Sequence, residues 1–339
     1  MIIFTLVVMG LIFGSFINAL VWRLRQQDLK QNEMKSASVK NPSQAKKPEK
    51  KIEGRRLNVA SIIDYLSSPW LNPYKTSVIL NVNEGSTQVG KKTLQPARYS
   101  TKIDDLSILH GRSMCPNCKH TLSALDLAPV FSWLFLRGKC RYCHKPISWQ
   151  YPLVEIVTAA LFVLSYLLWP VDVSGVGIAV FVVWLAIVVV FVAHTIYDMR
   201  WRELPDQLNA ALVGLAVTFV GIKIAMNEDL GGFFEPILAA AVLFGLFFLI
   251  YKVSGGGWIG GGDVKLAPAL GLIAGSPLKV FLLLFLASSL GLIASIPALI
   301  SAKEKTKLQI PFGPFLITAA ILVVLFGDKI IALYESVLI

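Results

Sequence analysis

The sequence predicts an all-α polytopic membrane protein of about eight transmembrane helices, with a cytoplasmic loop inserted after the first. Three observations predict it. Of the 339 residues, 55% are hydrophobic and 16% charged, and the mean hydropathy is +0.64, whereas soluble domains hold ~45–50% apolar and ~25% charged residues. Several apolar stretches approach the ~20 residues needed to cross a hydrocarbon core of ~30 Å, so the lipid bilayer is the solvent for most of the chain. The charge of +11 is also uneven: residues 23–150 carry 22 of the 32 Lys and Arg and 9 of the 21 Asp and Glu, a local excess of +13 against −2 elsewhere. A basic excess confined to one loop marks the side that retains Lys and Arg, not nucleic-acid binding.

The first element, residues 1–22, lacks the basic start and small-x-small cleavage site of a signal peptide, and Arg23 and Arg25 follow it. It is expected to be a retained helix with its N-terminus outside. Residues 23–150 then form the cytoplasmic basic loop. Within it, 26–58, rich in Lys, Gln, Ser, Asn and Pro, is expected to be a disordered linker, because it cannot bury enough apolar surface to offset its chain entropy. Residues 77–89, with β-branched runs around Asn83-Glu84-Gly85, suggest a small hairpin. Residues 151–339 form the remaining bundle, with apolar spans at 152–169, 175–197, 206–226, 233–252, 264–275, 278–300 and 312–334 separated by Pro, Gly or charge. The span 264–275 is too short for a full crossing and is expected to be broken or tilted within protein. Alternation places 198–205, 253–263 and 301–310 inside, each carrying or flanked by Lys or Arg, and the acidic Glu228 and Asp229 outside.

All four cysteines lie in the basic loop, within 113–147: Cys115-Pro-Asn-Cys118 and Cys140-Arg-Tyr-Cys143. Two C-x₂-C knuckles offer four thiolates, which complete a tetrahedral shell and leave no position for water, the mark of a structural zinc. The competing reading is two disulfide or redox pairs, which a reducing cytosolic loop without a thioredoxin-like pattern disfavours. The insertion is therefore expected to be a zinc-binding loop.

The sharper chemical clue is Asp198, at the end of the third span, and Asp263, at the start of the sixth. Two crossings separate them, so both return to the same face. Carboxylates at apolar boundaries are functional candidates. If they meet, they share a proton: the charged one activates water and the neutral one polarises a carbonyl, giving peptide hydrolysis without a nucleophilic side chain. Equally, each could cap a helix or meet headgroup water. Asp206, after Pro205, is expected to cap the fourth span, and His194, one turn before Asp198, to be a hydrogen-bonded packing residue. Ser254 to Gly262 contains six glycines; they allow either a substrate strand to approach or a flexible loop, and no Lys-Ser/Thr follows to make a phosphate loop.

Ordered along the chain, Gly14-Ser15-Phe16-Ile17-Asn18 with Arg23-Leu24, the cysteine segment, Tyr151-Pro152-Leu153-Val154-Glu155, Asp198 with Leu204-Pro205-Asp206, Gly260-Gly261-Gly262-Asp263-Val264-Lys265-Leu266 and Pro311-Phe312-Gly313-Pro314 resemble the prepilin (type IV leader) peptidase family of GxGD-type intramembrane aspartyl proteases. The resemblance implies catalytic aspartates at Asp198 and Asp263 and zinc on Cys115, Cys118, Cys140 and Cys143. It further implies a bacterial inner-membrane enzyme that cleaves the basic leader from prepilin or pseudopilin precursors at the cytoplasmic face. Many members also methylate the new N-terminus with S-adenosylmethionine, an activity associated with the cysteine-bearing loop. The insert 26–108 departs from the family's compact loop. Two rivals stand beside this reading: a non-catalytic membrane zinc adaptor of a pilus or type II secretion assembly, favoured by aspartates on diverging faces, and a transporter, which calls for ionisable pairs near the bilayer midplane.

Overall fold

A computed structural model describes residues 1–39, 112–227, 230–301 and 311–338. Among them are eight apolar helices: α1 (Ile2–Val39), α2 (Gln150–Leu167), α3 (Gly177–Trp201), α4 (Asp206–Asn227), α5 (Phe234–Ser254), α6 (Gly261–Ala274), α7 (Pro277–Ser301) and α8 (Gly313–Leu338). Seven are long and apolar enough to cross a membrane, so the chain is a multi-pass membrane protein. The eighth, α6, has 14 residues with Pro268 inside it and ends at Gly275 in the left-handed region. Its flanks are α4, α5 and α8, and nine of its residues are buried. The short sixth span is thus a half-length helix enclosed by protein, as its Gly and Pro content suggests.

One expectation is corrected. Residues 26–39 are not linker but the end of α1, which runs through 38 residues; at 1.5 Å per residue that is roughly 57 Å, so α1 projects well beyond a bilayer. No Gly or Pro interrupts 26–39, and tertiary contacts anchor the start of the extension. The Tyr197 hydroxyl donates to Asp28 Oδ2, Arg25 Nη1 meets Glu203 Oε2 at 2.8 Å, and the Arg25 guanidinium lies 5.1 Å from the Trp201 ring centroid. All three partners belong to the end of α3 or the turn after it. The remainder of the linker, 40–58, and the hairpin at 77–89 lie outside the described residues.

The core centres on α3, whose Trp184, Ile187, Phe191 and Tyr197 are fully buried. Trp184 satisfies its indole N–H at Ser165 Oγ on α2, 3.0 Å away. Helices α1 and α2 cross at small residues: a Cβ on Gly14 would lie 2.5 Å from Glu155 Cα, and one on Gly10 would overlap Ala159. Glycine here sets the distance between two backbones, the means by which helices associate in lipid without a hydrophobic drive.

Candidate functional site

Asp198 and Asp263 come together at one end of the bundle. Helix α3 stops just past Asp198 because Arg202 turns left-handed (φ 54°, ψ 35°) and returns its N–H to the Asp198 carbonyl at 2.8 Å. Helix α6 starts just before Asp263: Gly260 is extended and accepts the Asp263 N–H at 3.1 Å. Both side chains are buried, 6% and 9% exposed. Their proximity is measured at Gly313, the first residue of α8, where a Cβ would sit 2.5 Å from Asp198 Oδ2 and 3.7 Å from Asp263 Oδ1. The two oxygens are therefore within about 6 Å of each other, with an unfilled Cβ position beside them. Asp198 Oδ2 is buried and meets no donor in hydrogen-bonding geometry among the described residues. A buried polar atom without a partner invites a water or substrate group.

The neighbours of the pair differ from it. Asp206 stands at the start of α4 and its carboxylate takes Lys265 Nζ at 2.6 Å, with both side chains more than half exposed. Its partner is thus a lysine two residues after Asp263 rather than a cap donor. His194 is buried and occupied at both ring nitrogens, by the Val190 carbonyl at 2.9 Å and Asn209 Oδ1 at 3.0 Å, the packing role expected of it. In the glycine-rich loop, Gly255 (φ 59°) and Gly256 (φ 80°) take the left-handed turn that ends α5, and Trp258 is exposed.

The four cysteines form a second centre. All four sulfurs lie within 4.8 Å of one another, with Cys115 Sγ and Cys143 Sγ 3.9 Å apart. Tetrahedral zinc–thiolate bonds of ~2.3 Å would space sulfurs ~3.8 Å apart, so the cluster fits a metal of that kind. The knuckles share one backbone pattern. Cys115 N–H donates to the His120 carbonyl and Lys119 N–H to the Cys115 carbonyl, at 3.0 and 2.9 Å; Cys140 and Lys145, and His144 and Cys140, repeat those bonds at 2.9 and 3.0 Å. Lys119 and His144 supply the left-handed residue of each turn. Asp126 braces the second knuckle, accepting from Ser123 N–H and Oγ, Arg141 Nε and the Tyr142 hydroxyl. Burial would raise this carboxyl, but those donors outweigh it and hold it down at about 2.

The module is tied to the bundle. Val130 N–H donates to Glu155 Oε2 on α2 at 2.6 Å, while within the module the Trp133 indole donates to the Ile147 carbonyl at 3.1 Å. Glu155 and Asn18 sit in motifs to which residue chemistry alone assigned no role, and Gly313 likewise gains its meaning only from the aspartates it faces. No local signal marks any of the three; only the packing of distant helices does.

Comparison with known proteins agrees with this arrangement. Residues 8–169 match the bacterial peptidase A24 N-terminal domain, and residues 179–296 match the type IV leader peptidase family. A protein of Aeromonas hydrophila named prepilin leader peptidase/N-methyltransferase is 36% identical over 232 residues, covering 67% of this chain and 76% of its own length. A protein of the same name from Bacillus subtilis (strain 168) is 31% identical, covering 68% of this chain and 87% of its own, and one from Pectobacterium carotovorum subsp. carotovorum is 33% identical, covering 60% and 70%. No solved structure matches the chain. The two family models between them match the cysteine-bearing segment with its flanking helices and the aspartate-bearing bundle, and the chain belongs to the type IV leader peptidase family.

Proposed function

We propose that this protein is an aspartyl endopeptidase of the bacterial inner membrane. It removes the basic leader from prepilin or pseudopilin precursors at the cytoplasmic face and N-methylates the new N-terminus with S-adenosylmethionine. The observation that carries the peptidase reading is the meeting of two buried carboxylates, from α3 and α6, beside Gly313. The methylation reading rests on the name shared by the relatives.

Asp198 and Asp263, held this close in a low-dielectric bundle, share one proton. The ionised carboxylate takes a proton from water as that water attacks the scissile carbonyl carbon, while the protonated one donates to the carbonyl oxygen. Collapse of the tetrahedral intermediate returns a proton to the leaving nitrogen and breaks the C–N bond. The convergence of the pair also argues against the inert adaptor, for which nothing would select adjacent buried carboxylates. The Lys and Arg of the loops at that end support the cytoplasmic assignment.

The decisive experiment incubates the purified full-length protein in detergent with a prepilin and labelled methyl donor. Leader release, with label on the new N-terminus, is expected; a folded, metallated protein that leaves the precursor intact overturns the reading. Because the leader is basic and so is the 23–150 loop, substrate choice is expected to depend on the apolar helix and the residues at the cut. A bulky residue in place of a glycine before the cut should block processing, and neutralising one leader Lys should change the rate far less. Asp206→Asn should keep most of the cleavage activity, since exposed ion pairs such as Asp206–Lys265 contribute little; total loss in a folded protein would make Asp206 a member of the reacting set.

Zinc is proposed as the metal of the four cysteines, in a structural role because all four positions of a tetrahedral ion are filled by thiolates. Elemental analysis should return one zinc per chain. Cys118→Ser should release it and raise protease sensitivity in 113–147 while the helices stay protected. A metal-free protein with an equally protected module would refute the assignment.

A further inference from the structure

The cysteine module carries an exposed apolar face that metal binding does not explain. Residues 127–136 run without a charge, and within them a short helix forms over Phe131–Phe135. Phe131, Leu134 and Phe135, spaced i, i+3 and i+4, share one side of that helix and are 57, 62 and 80% exposed. A contiguous apolar patch of this kind marks a protein or membrane contact. A run of ~10–14 apolar residues is too short to span a bilayer and suits a re-entrant or interfacial segment.

Helix packing fixes how deep this face lies. Gly10 of α1 faces Ala159 of α2, Gly14 faces Glu155, and the Asn18 amide donates to the Tyr151 carbonyl at 3.2 Å. Each step of four along α1 is thus a step of four back along α2. Glu155, level with Gly14, lies nine residues inside Arg23, where the apolar part of α1 ends; along a helix axis that is about 13 Å. The Val130 N–H reaches Glu155 Oε2, and a glutamate side chain is much shorter than that distance, so the short helix begins on the membrane side of Arg23. Its far end is pinned near the boundary, because the Ile147 N–H donates to the Gly138 carbonyl at 2.7 Å, three residues before α2 starts. The apolar face therefore sits level with the first turns of α2, where Leu153, Ile156 and Val157 are exposed.

The backbone suits that depth, since a segment can lie against lipid only if its polar groups are paired. The N–H groups of Phe131, Ser132, Leu134 and Leu136 all donate within the segment, Val130 donates to Glu155, and the Trp133 indole is taken by Ile147. Charge resumes immediately afterwards with the exposed Arg137 and Lys139, long cationic side chains that can reach lipid phosphates from an apolar foothold.

We propose that 130–136 is a re-entrant membrane anchor. Phe131, Leu134 and Phe135 lie among the acyl chains of the leaflet on the module's side, Arg137 and Lys139 lie at its phosphates, and the cysteine centre is thereby held against the membrane surface. Lipid is favoured over a second protein because the face is level with exposed residues of a membrane-spanning helix and not above them. The anchor stands apart from the peptidase reading and does not depend on it.

The test uses the full-length protein in nanodiscs of phosphatidylethanolamine and phosphatidylglycerol, doped with a phosphatidylcholine that carries a diazirine close to the glycerol end of one acyl chain. After illumination and digestion, lipid adducts are expected on 131–135 at a yield within about three-fold of that on 153–157 of α2, as for two segments at one depth. Phe135→Glu sets a carboxylate among acyl chains, which is costly, and should lower the adducts on 131–135 roughly five-fold or more while those on 153–157 persist. Phe135→Leu should retain both. Adducts on 153–157 with none on 131–135 in the native protein overturn the anchor, whether water or another protein covers the face. Adducts on 131–135 that Phe135→Glu leaves unchanged overturn it as well.

Discussion

Asp198→Asn and Asp263→Asn are each expected to lower leader cleavage by roughly 10³-fold or more, the order of effect that a single acid–base group supplies, without loss of the folded, inserted protein. Both side chains are less than a tenth exposed and lie near the same vacant point at Gly313. An amide fills the same volume as a carboxyl, so packing is preserved, but it can neither take a proton from water nor surrender one to a carbonyl. Because the two act as a unit, Asp198→Asn/Asp263→Asn should be little worse than either alone. Cleavage kinetics of the two single variants and the double variant, each checked for thermal unfolding, decide it; a single variant with the native kcat would remove the dyad.

Much of the fold was legible because a bilayer reads length and polarity directly. Spans such as 206–226 and 233–252 fall within two residues of α4 and α5, and the Gly and Pro around 264–275 foretold a helix too short to cross. The end of α1 was not legible. Polar composition at 26–39 looked like linker, whereas the anchors that keep it helical lie on and just after α3, with 178 residues between Arg25 and Glu203. A window of sequence sees the cost of ordering a polar segment and misses the remote partner that offsets it.

The site divides the same way. Spacing alone drew the four cysteines together, since two knuckles of one backbone pattern need only a short connection, and the clustered sulfurs fit that reading. The aspartates are visible as boundary carboxylates, but position does not divide catalysis from capping, because which faces of α3 and α6 converge is a property of helix packing. Asp206 shows the limit from the other side: its partner Lys265 is 59 residues away, beyond any capping rule.

Gly313→Ala is expected to cost roughly 10²-fold in kcat while lowering stability far less, a disproportion that a general packing defect would not produce. The added Cβ would stand 2.5 Å from Asp198 Oδ2, well inside van der Waals contact. Asp198 is enclosed by the bundle and cannot swing away freely, so either its carboxylate rotates or the start of α8 shifts. Displacements near 1 Å at reacting groups cost about that factor. The strain falls on one side chain or one helix end, so the thermal midpoint should fall far less than activity does. Gly214→Ala on α4 is the control, since its Cβ would meet nothing within 4 Å; it should leave cleavage unchanged. If Gly313→Ala cleaves as the native protein does, the space between the two carboxylates is not where water and the scissile bond meet, and the reacting atoms must be sought on the other side of the pair, toward the Gly260 turn.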